Sequence, residues 1–164
     1  RAGARIINDV TGLSDPQMPS VTADAEATVV MHMRGTPESM RGLTEYTNMT
    51  DEVRDWLCER ATLAQSKTVW IDPGIGFAKT PQQSLELLRN TAQFVATGHP
   101  VLIGASRKSF IGHTLDIADP DDRLSGSLAA VAAAWARGAQ AFRVHDVTET
   151  RHLLDLLYAI EGAA

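Results

Sequence analysis

The stretch Val69-Trp70-Ile71-Asp72-Pro73-Gly74-Ile75-Gly76-Phe77, continuing into Ala78-Lys79-Thr80-Pro81-Gln82-Gln83, decides the fold class. It passes from an apolar run too short for a buried helix, through an acid, a proline and two glycines, into a helix start. Thr80 is the expected N-cap, Pro81 fits the first helical position, and Gln83 completes a capping box. Leu85, Leu88, Ala92 and Val95 fall on one stripe, so a single helix is expected to run on until Gly98 and Pro100 stop it. A strand buried on both faces that turns through polar residues into an amphipathic helix is one βα unit.

The same unit recurs on either side. Short apolar runs stand at Ile6-Ile7, Thr28-Val29-Val30-Met31, Val101-Leu102-Ile103 and Ala141-Phe142-Arg143-Val144. A helix is expected from about Asp51, with Asp51 and Glu52 near its positive end and Val53, Trp56, Leu57, Ala61 and Ala64 on one face. Others are expected over Ser125–Arg137, closed by Gly138, and from Thr148 to Gly162, with a weak one over Pro16–Ala25 that Pro19 interrupts. The order βαβαβαβαβα implies a parallel sheet, with strand spacing scattered around the roughly 31 residues per unit of a chain in which about 250 residues make eight units. An open doubly wound sheet and part of a barrel both fit this pattern.

Composition narrows the function classes. The chain has 164 residues, 44% of them hydrophobic, which suits one domain with a real core. A net charge of −5, with no Lys/Arg block longer than two residues, argues against a nucleic-acid partner. No apolar run approaches the ~20 residues needed to span a bilayer, so no membrane association is expected. Cys58 is the single cysteine; its neighbours Trp56 and Leu57 mark an inert, half-buried thiol, and the expected compartment is the cytoplasm. The chain opens at Arg1 without an initiator Met, as a piece of something longer would.

Every strand ends in polar or Gly-rich residues: Asn8-Asp9-Val10-Thr11-Gly12, Met31-His32-Met33, Asp72 to Phe77, Gly104-Ala105-Ser106-Arg107-Lys108-Ser109 and Arg143-Val144-His145-Asp146. Buried without partners these groups would be costly, so five in succession imply a common polar ligand or an extended internal network. Standing alone, Asp72 before Pro73-Gly74 is a turn former; in this company a binding role is favoured. Gly74-Ile75-Gly76 lacks the third glycine of a dinucleotide loop, and Gly104–Ser109 lacks the order of a phosphate loop. His32 between two methionines reads as a structural histidine rather than a metal ligand. Arg107 fits a solvated pair or a second anion contact equally well. Asp9 and Asp146 read as braces of their strand ends, and the three tryptophans as packing.

Six segments, IINDVTGL, VVMHM, DPGIGFAKT, GASRKSFIG, RLSGSLAA and RVHDV, together resemble the consecutive C-terminal motifs of the dihydropteroate synthase family, in order and on the expected strands. That resemblance implies a TIM-type (β/α)8 barrel of which this chain supplies strands four to eight, as the C-terminal part of a single pterin-binding domain. It implies a transferase of folate biosynthesis that joins 6-hydroxymethyl-7,8-dihydropterin diphosphate to p-aminobenzoate and releases pyrophosphate. By the same resemblance Asp72, Lys108, Arg143 and His145 are the catalytic set. Asn8, Met31 and Gly104 join Asp72, Lys108 and Arg143 around the pterin, Arg143 and His145 hold the diphosphate, and Phe77 and Ser109 meet p-aminobenzoate.

The family match begins at its fourth strand. The implied magnesium ion would take its protein ligand from the part that precedes it, along with two loops over the second substrate. The family also implies a homodimer and a target for sulfonamides. The fragment is expected to be inactive alone. Two other readings stay open: an inactive pterin-binding module or paralogue, and a pterin-dependent methyltransferase built on the same barrel.

Overall fold

The computed structural model describes residues 3–162. Five parallel strands, β1 (Ile6–Asp9), β2 (Ala27–Met31), β3 (Thr68–Asp72), β4 (Leu102–Ile103) and β5 (Ala141–Phe142), alternate with helices. The helices are α1 (Met18–Thr22), α2 (Met49–Ala61), α3 (Pro81–Arg89), α4 (Thr91–Val95), α5 (Ser109–Leu115), α6 (Leu124–Trp135) and α7 (Val147–Glu161), with two short 3-10 turns between them. Strands β1, β2 and β3 form one ladder and β4 and β5 another; a bridge from Ile71 to Val101 joins the two in chain order. The architecture is a partial α/β barrel, the one of the two arrangements left open by the segment pattern that the family resemblance implies.

The capping box at Thr80 forms as expected: its hydroxyl accepts from Gln83 N and the Gln83 side chain accepts from Thr80 N. The single helix expected after it does not. Asn90 leaves helical geometry at φ −97°, ψ 15°, separating α3 from α4. Two local polar groups explain the break. Asn90 Nδ2 donates to Thr50 Oγ1 at 2.9 Å, and Thr91 Oγ1 donates to the Leu88 carbonyl at 2.9 Å, competing with the helical ladder. Strand β5 also ends early, at Phe142, which leaves Arg143 and Val144 in the loop beyond it. Helix α5 has no counterpart in the sequence expectations; it is only seven residues long and stops where Asp116 takes φ +58°.

The core lies between sheet and helices, where Val30, Ile71, Val101 and Ile103 meet Val53, Leu57, Leu87 and Phe94. Strand side chains alternate between faces. Since the residues at 30, 71, 101 and 103 face the helices, those at 8, 31, 72, 104 and 143 face the other way. Strand register agrees: Asn8 pairs with Val29, Met31 with Asp72, and Ile103 with Phe142. Five of the anticipated ligand residues, one per strand end, thus share the face that becomes the interior of a barrel. No helix among the described residues is long and apolar enough to cross a membrane.

Candidate pterin site

Asp72 closes β3 and is 1% exposed. Its Oδ1 accepts from Gly74 N at 2.8 Å, a turn bond that also fixes the carboxylate's direction. Burial pushes its pKa upward, against the opposing pull of the Lys108, Arg143 and Lys79 charges and the Gly74 N–H. The turn and binding readings of this residue are therefore compatible, because one oxygen makes the turn and the other accepts from no donor among the described residues.

Lys108 reaches the same region from the β4–α5 loop. Its ammonium donates to the Ile75 carbonyl and lies 4.5 Å from the centre of the Phe77 ring, a cation–π contact. Burial lowers its pKa to about 8, with Asp72 pulling the other way. The preceding Arg107 holds φ +58° and is fixed there from α6: Ser127 Oγ accepts from its backbone N–H at 2.9 Å, and Arg123 donates to its carbonyl. Arg107 is ion-paired within the chain rather than free. Its guanidinium is bonded to both oxygens of Asp146 and to Asp121, which uses Asp146 as a brace. Asp9 braces the end of β1 likewise, accepting from Thr11 N and Leu13 N at 2.8 Å.

Gly104, Ser106, Lys108, Arg143, Val144 and His145 line a cavity of about 230 Å³. A side chain at Gly104 would come within 3.2 Å of Arg143 Nη2, so glycine there lets the guanidinium lie against the strand end. His145 Nδ1 lies 3.0 Å from Ser106 Oγ, and that hydroxyl also accepts from His145 N at 3.2 Å, which orients the ring. A larger hollow of about 400 Å³ sits between α3, α5 and α6 and is lined almost entirely by apolar groups; it holds none of the strand-end residues. The smaller, polar cavity is the one that matches the chemistry.

Met31 is fully buried beside Asp72, whereas Asn8 is exposed at the outer strand. Ser109 heads α5 but opens on a separate hollow with Gly112, His113 and Asp116. Two participants escape the sequence reading. Lys79 is 8% exposed, and Ser106 is 5% exposed beneath His145. Both stand inside segments that signal a site, but nothing in their local pattern distinguishes a buried polar group from a surface one. His32 is buried as anticipated, edge-on to Trp56, and burial with the nearby Lys79 and Arg34 charges lowers its pKa to about 3.

Residues 1–145 match the family model described as pterin binding enzyme. The chain belongs to that family. Over 154 residues, 90% of its length, it is 41% identical to a dihydropteroate synthase from Synechocystis, and it covers 53% of that protein. The dihydropteroate synthase of Thermus thermophilus, solved in complex with 6HMPPP, superposes with a TM-score of 0.93 at 40% identity, covering 97% of this chain and 65% of that one. A protein named inactive dihydropteroate synthase 2, from Mycobacterium tuberculosis, is 40% identical over 172 residues, which is 98% of this chain and 54% of that protein. The chain spans a little over half the length of these two curated relatives.

Proposed function

We propose that this chain carries the pterin and diphosphate end of a dihydropteroate synthase site. The observation that supports the reading is the common face shared by Asn8, Met31, Asp72, Gly104 and Arg143, with Lys108 and His145 beside it. A pterin ring presents its 2-amino group and N3–H side by side, and the free Asp72 oxygen and its partner accept such a pair. Lys108 has three donors; one goes to Ile75, and two remain for O4 and N5 of the ring. Asn8 can donate and accept at the far edge, and Met31 and Gly104 line the slot.

In this reading Arg143 and His145 hold the diphosphate. As the bond between the pterin methylene and the leaving oxygen breaks, negative charge grows on the diphosphate, and fixed donors there lower the barrier. The neutral arylamine of p-aminobenzoate attacks the methylene, forming the C–N bond as the C–O bond breaks and giving its proton to solvent, with Phe77 against its ring; Ser109, on the adjoining hollow with His113, is assigned to its carboxylate by the family resemblance alone. Magnesium belongs to the proposal through the substrate's phosphate oxygens. The described residues hold no group of three or more His, Cys, Asp or Glu that could cage a metal, and no step above depends on one. A homodimer and cytoplasmic residence complete the proposal.

Pterin binding tests it. Incubation of the chain with dihydropterin diphosphate, p-aminobenzoate and magnesium is expected to bind the pterin compound, and pyrophosphate release marks an active synthase. Pterin binding without release is the outcome expected of a fragment that is inactive alone, and it is shared by a second reading, an inactive module, for which the mycobacterial relative named inactive, at 40% identity, is a precedent. Failure to bind any pterin removes both, and binding of pterin without ternary binding of p-aminobenzoate and pyrophosphate points to a methyltransferase.

A further inference from the structure

Lys79 lies behind the slot rather than in it, and the mechanism above makes no use of it. Its side chain is 8% exposed, on the short link between the Asp72 turn and the Thr80 cap. The ammonium sits 3.0 Å from His32 Nδ1 and donates to the Phe77 carbonyl at 2.9 Å. His32 follows directly after β2, and its backbone N–H donates to the Asp72 carbonyl at 3.0 Å. Gly74, at φ +68°, packs so closely on the His32 carbonyl that any side chain there would collide with it. Ala78, just before Lys79, is held at φ +49°, a strained angle for a residue other than glycine.

These contacts converge on one loop. The segment from Asp72 to Ala78 carries the carboxylate at one end and the Phe77 ring near the other, and Phe77 N donates to Gly74 O at 3.0 Å within it. A buried ammonium is costly to desolvate, so replacing it by an apolar side chain of similar volume is often neutral for stability. We propose that Lys79 is a positioning residue of the pterin slot, whose ammonium ties the end of β2 to the loop after β3 and so sets Asp72 and Phe77 against the ligand. The inference rests on the pterin reading for its ligand and on geometry alone for the tie.

Lys79 is faced by Asp72 from β3, Lys108 from the β4–α5 loop, His32 and Arg34 from the segment after β2, Tyr46, whose hydroxyl donates to the Ala78 carbonyl, and Arg41, which lines the same hollow. Burial is the chief reason its pKa falls to about 7, with Asp72 opposing. Neutralising it therefore also removes one of the charges that favour an ionised Asp72.

The test uses the chain with Lys79→Met and Lys79→Arg, titrated with 6-hydroxymethylpterin across pH 5 to 9, with hydrogen exchange followed at residues 74–78. Lys79→Met is expected to fold with a melting temperature no lower than that of the parent chain, to bind the pterin about tenfold more weakly, and to move the acidic limb of the binding profile upward in pH. Lys79→Arg recovers part of the affinity. Unchanged affinity and profile in a folded Lys79→Met overturn the proposal. If Lys79→Met does not fold, His32→Phe, which removes the acceptor and leaves the ammonium, must show the same loss of affinity, and parent-like binding overturns the proposal. If the parent chain itself binds no pterin, the functional reading fails separately. Exchange at residues 74–78 then decides the tie: tenfold acceleration in either variant, with α6 unchanged, supports it, and parent-like rates overturn it.

Discussion

The middle of the sheet and its two ends differ in how they hold their side chains. Every residue of β2 is buried, and Asp72 at the end of β3 is 1% exposed. At the outer strand Ile6 is 62% exposed, and on α7, which follows β5 and packs on α6, Leu156 and Ile160 are 61% and 67% exposed. The site follows the same division. Met31, Asp72 and Gly104 are buried in the centre, while Asn8, Arg143 and His145 stand exposed toward the flanks. In the proposed site a ligand meets an Asp72 carboxylate that is already buried and turned by the Gly74 N–H, whereas Arg143 and His145 remain open to solvent.

Substitutions at the two positions should separate sharply. Leu57→Ala, in the central core, is expected to cost about 2–5 kcal/mol in urea unfolding, since the cavity it leaves is closed on all sides. A loss below 1 kcal/mol would show that the centre is no better packed than the ends. Asp72→Asn keeps the shape and removes the charge, and at about 1.5–3 kcal/mol for hydrogen bonds to a charged group its affinity for 6-hydroxymethylpterin should fall roughly 10- to 100-fold. Arg143→Ala, at the exposed flank, should weaken the same binding by less. A larger loss at Arg143 would reverse the comparison.

Acid should unlock the centre first. Unfolded histidine takes up a proton near 6.5, whereas buried His32 does so only near 3, so the unfolded chain binds the extra proton between those values. Stability is therefore expected to fall as pH drops from 6.5 toward 3, by up to about 1.4 kcal/mol per pH unit from this group. Denaturation midpoints measured through that window should flatten in His32→Phe. The smallest effect belongs to the flank: Leu156→Ala is expected to stay within about 0.5 kcal/mol of the parent. A cost above 2 kcal/mol would mean that α7 is covered in solution.

Much of this was legible in the residues. Short β-branched runs and capped amphipathic stretches mark the βα units because burial on two faces and on one face leave different periodicities. The Thr80 cap was readable because it depends on contacts three residues apart. Where distant partners intervene, local pattern failed: the break at Asn90 depends on Thr50, forty residues away, and the fate of Arg107 depends on Asp146 and Asp121. Lys79 and Ser106 were passed over for the same reason. Their burial is a property of what packs over them.

The sequence by itself determined the order of units, the strand ends as the place of the site, and the family whose motifs they resemble, since each rests on residues near one another in the chain. Only the tertiary structure decided which of those polar groups share one face and which brace the scaffold. That division follows from register. In parallel strands a shift of one residue turns every side chain to the opposite face, so Asp72 lies on one face with Met31 while Asp9, in register with Val30, turns to the other and holds its own loop.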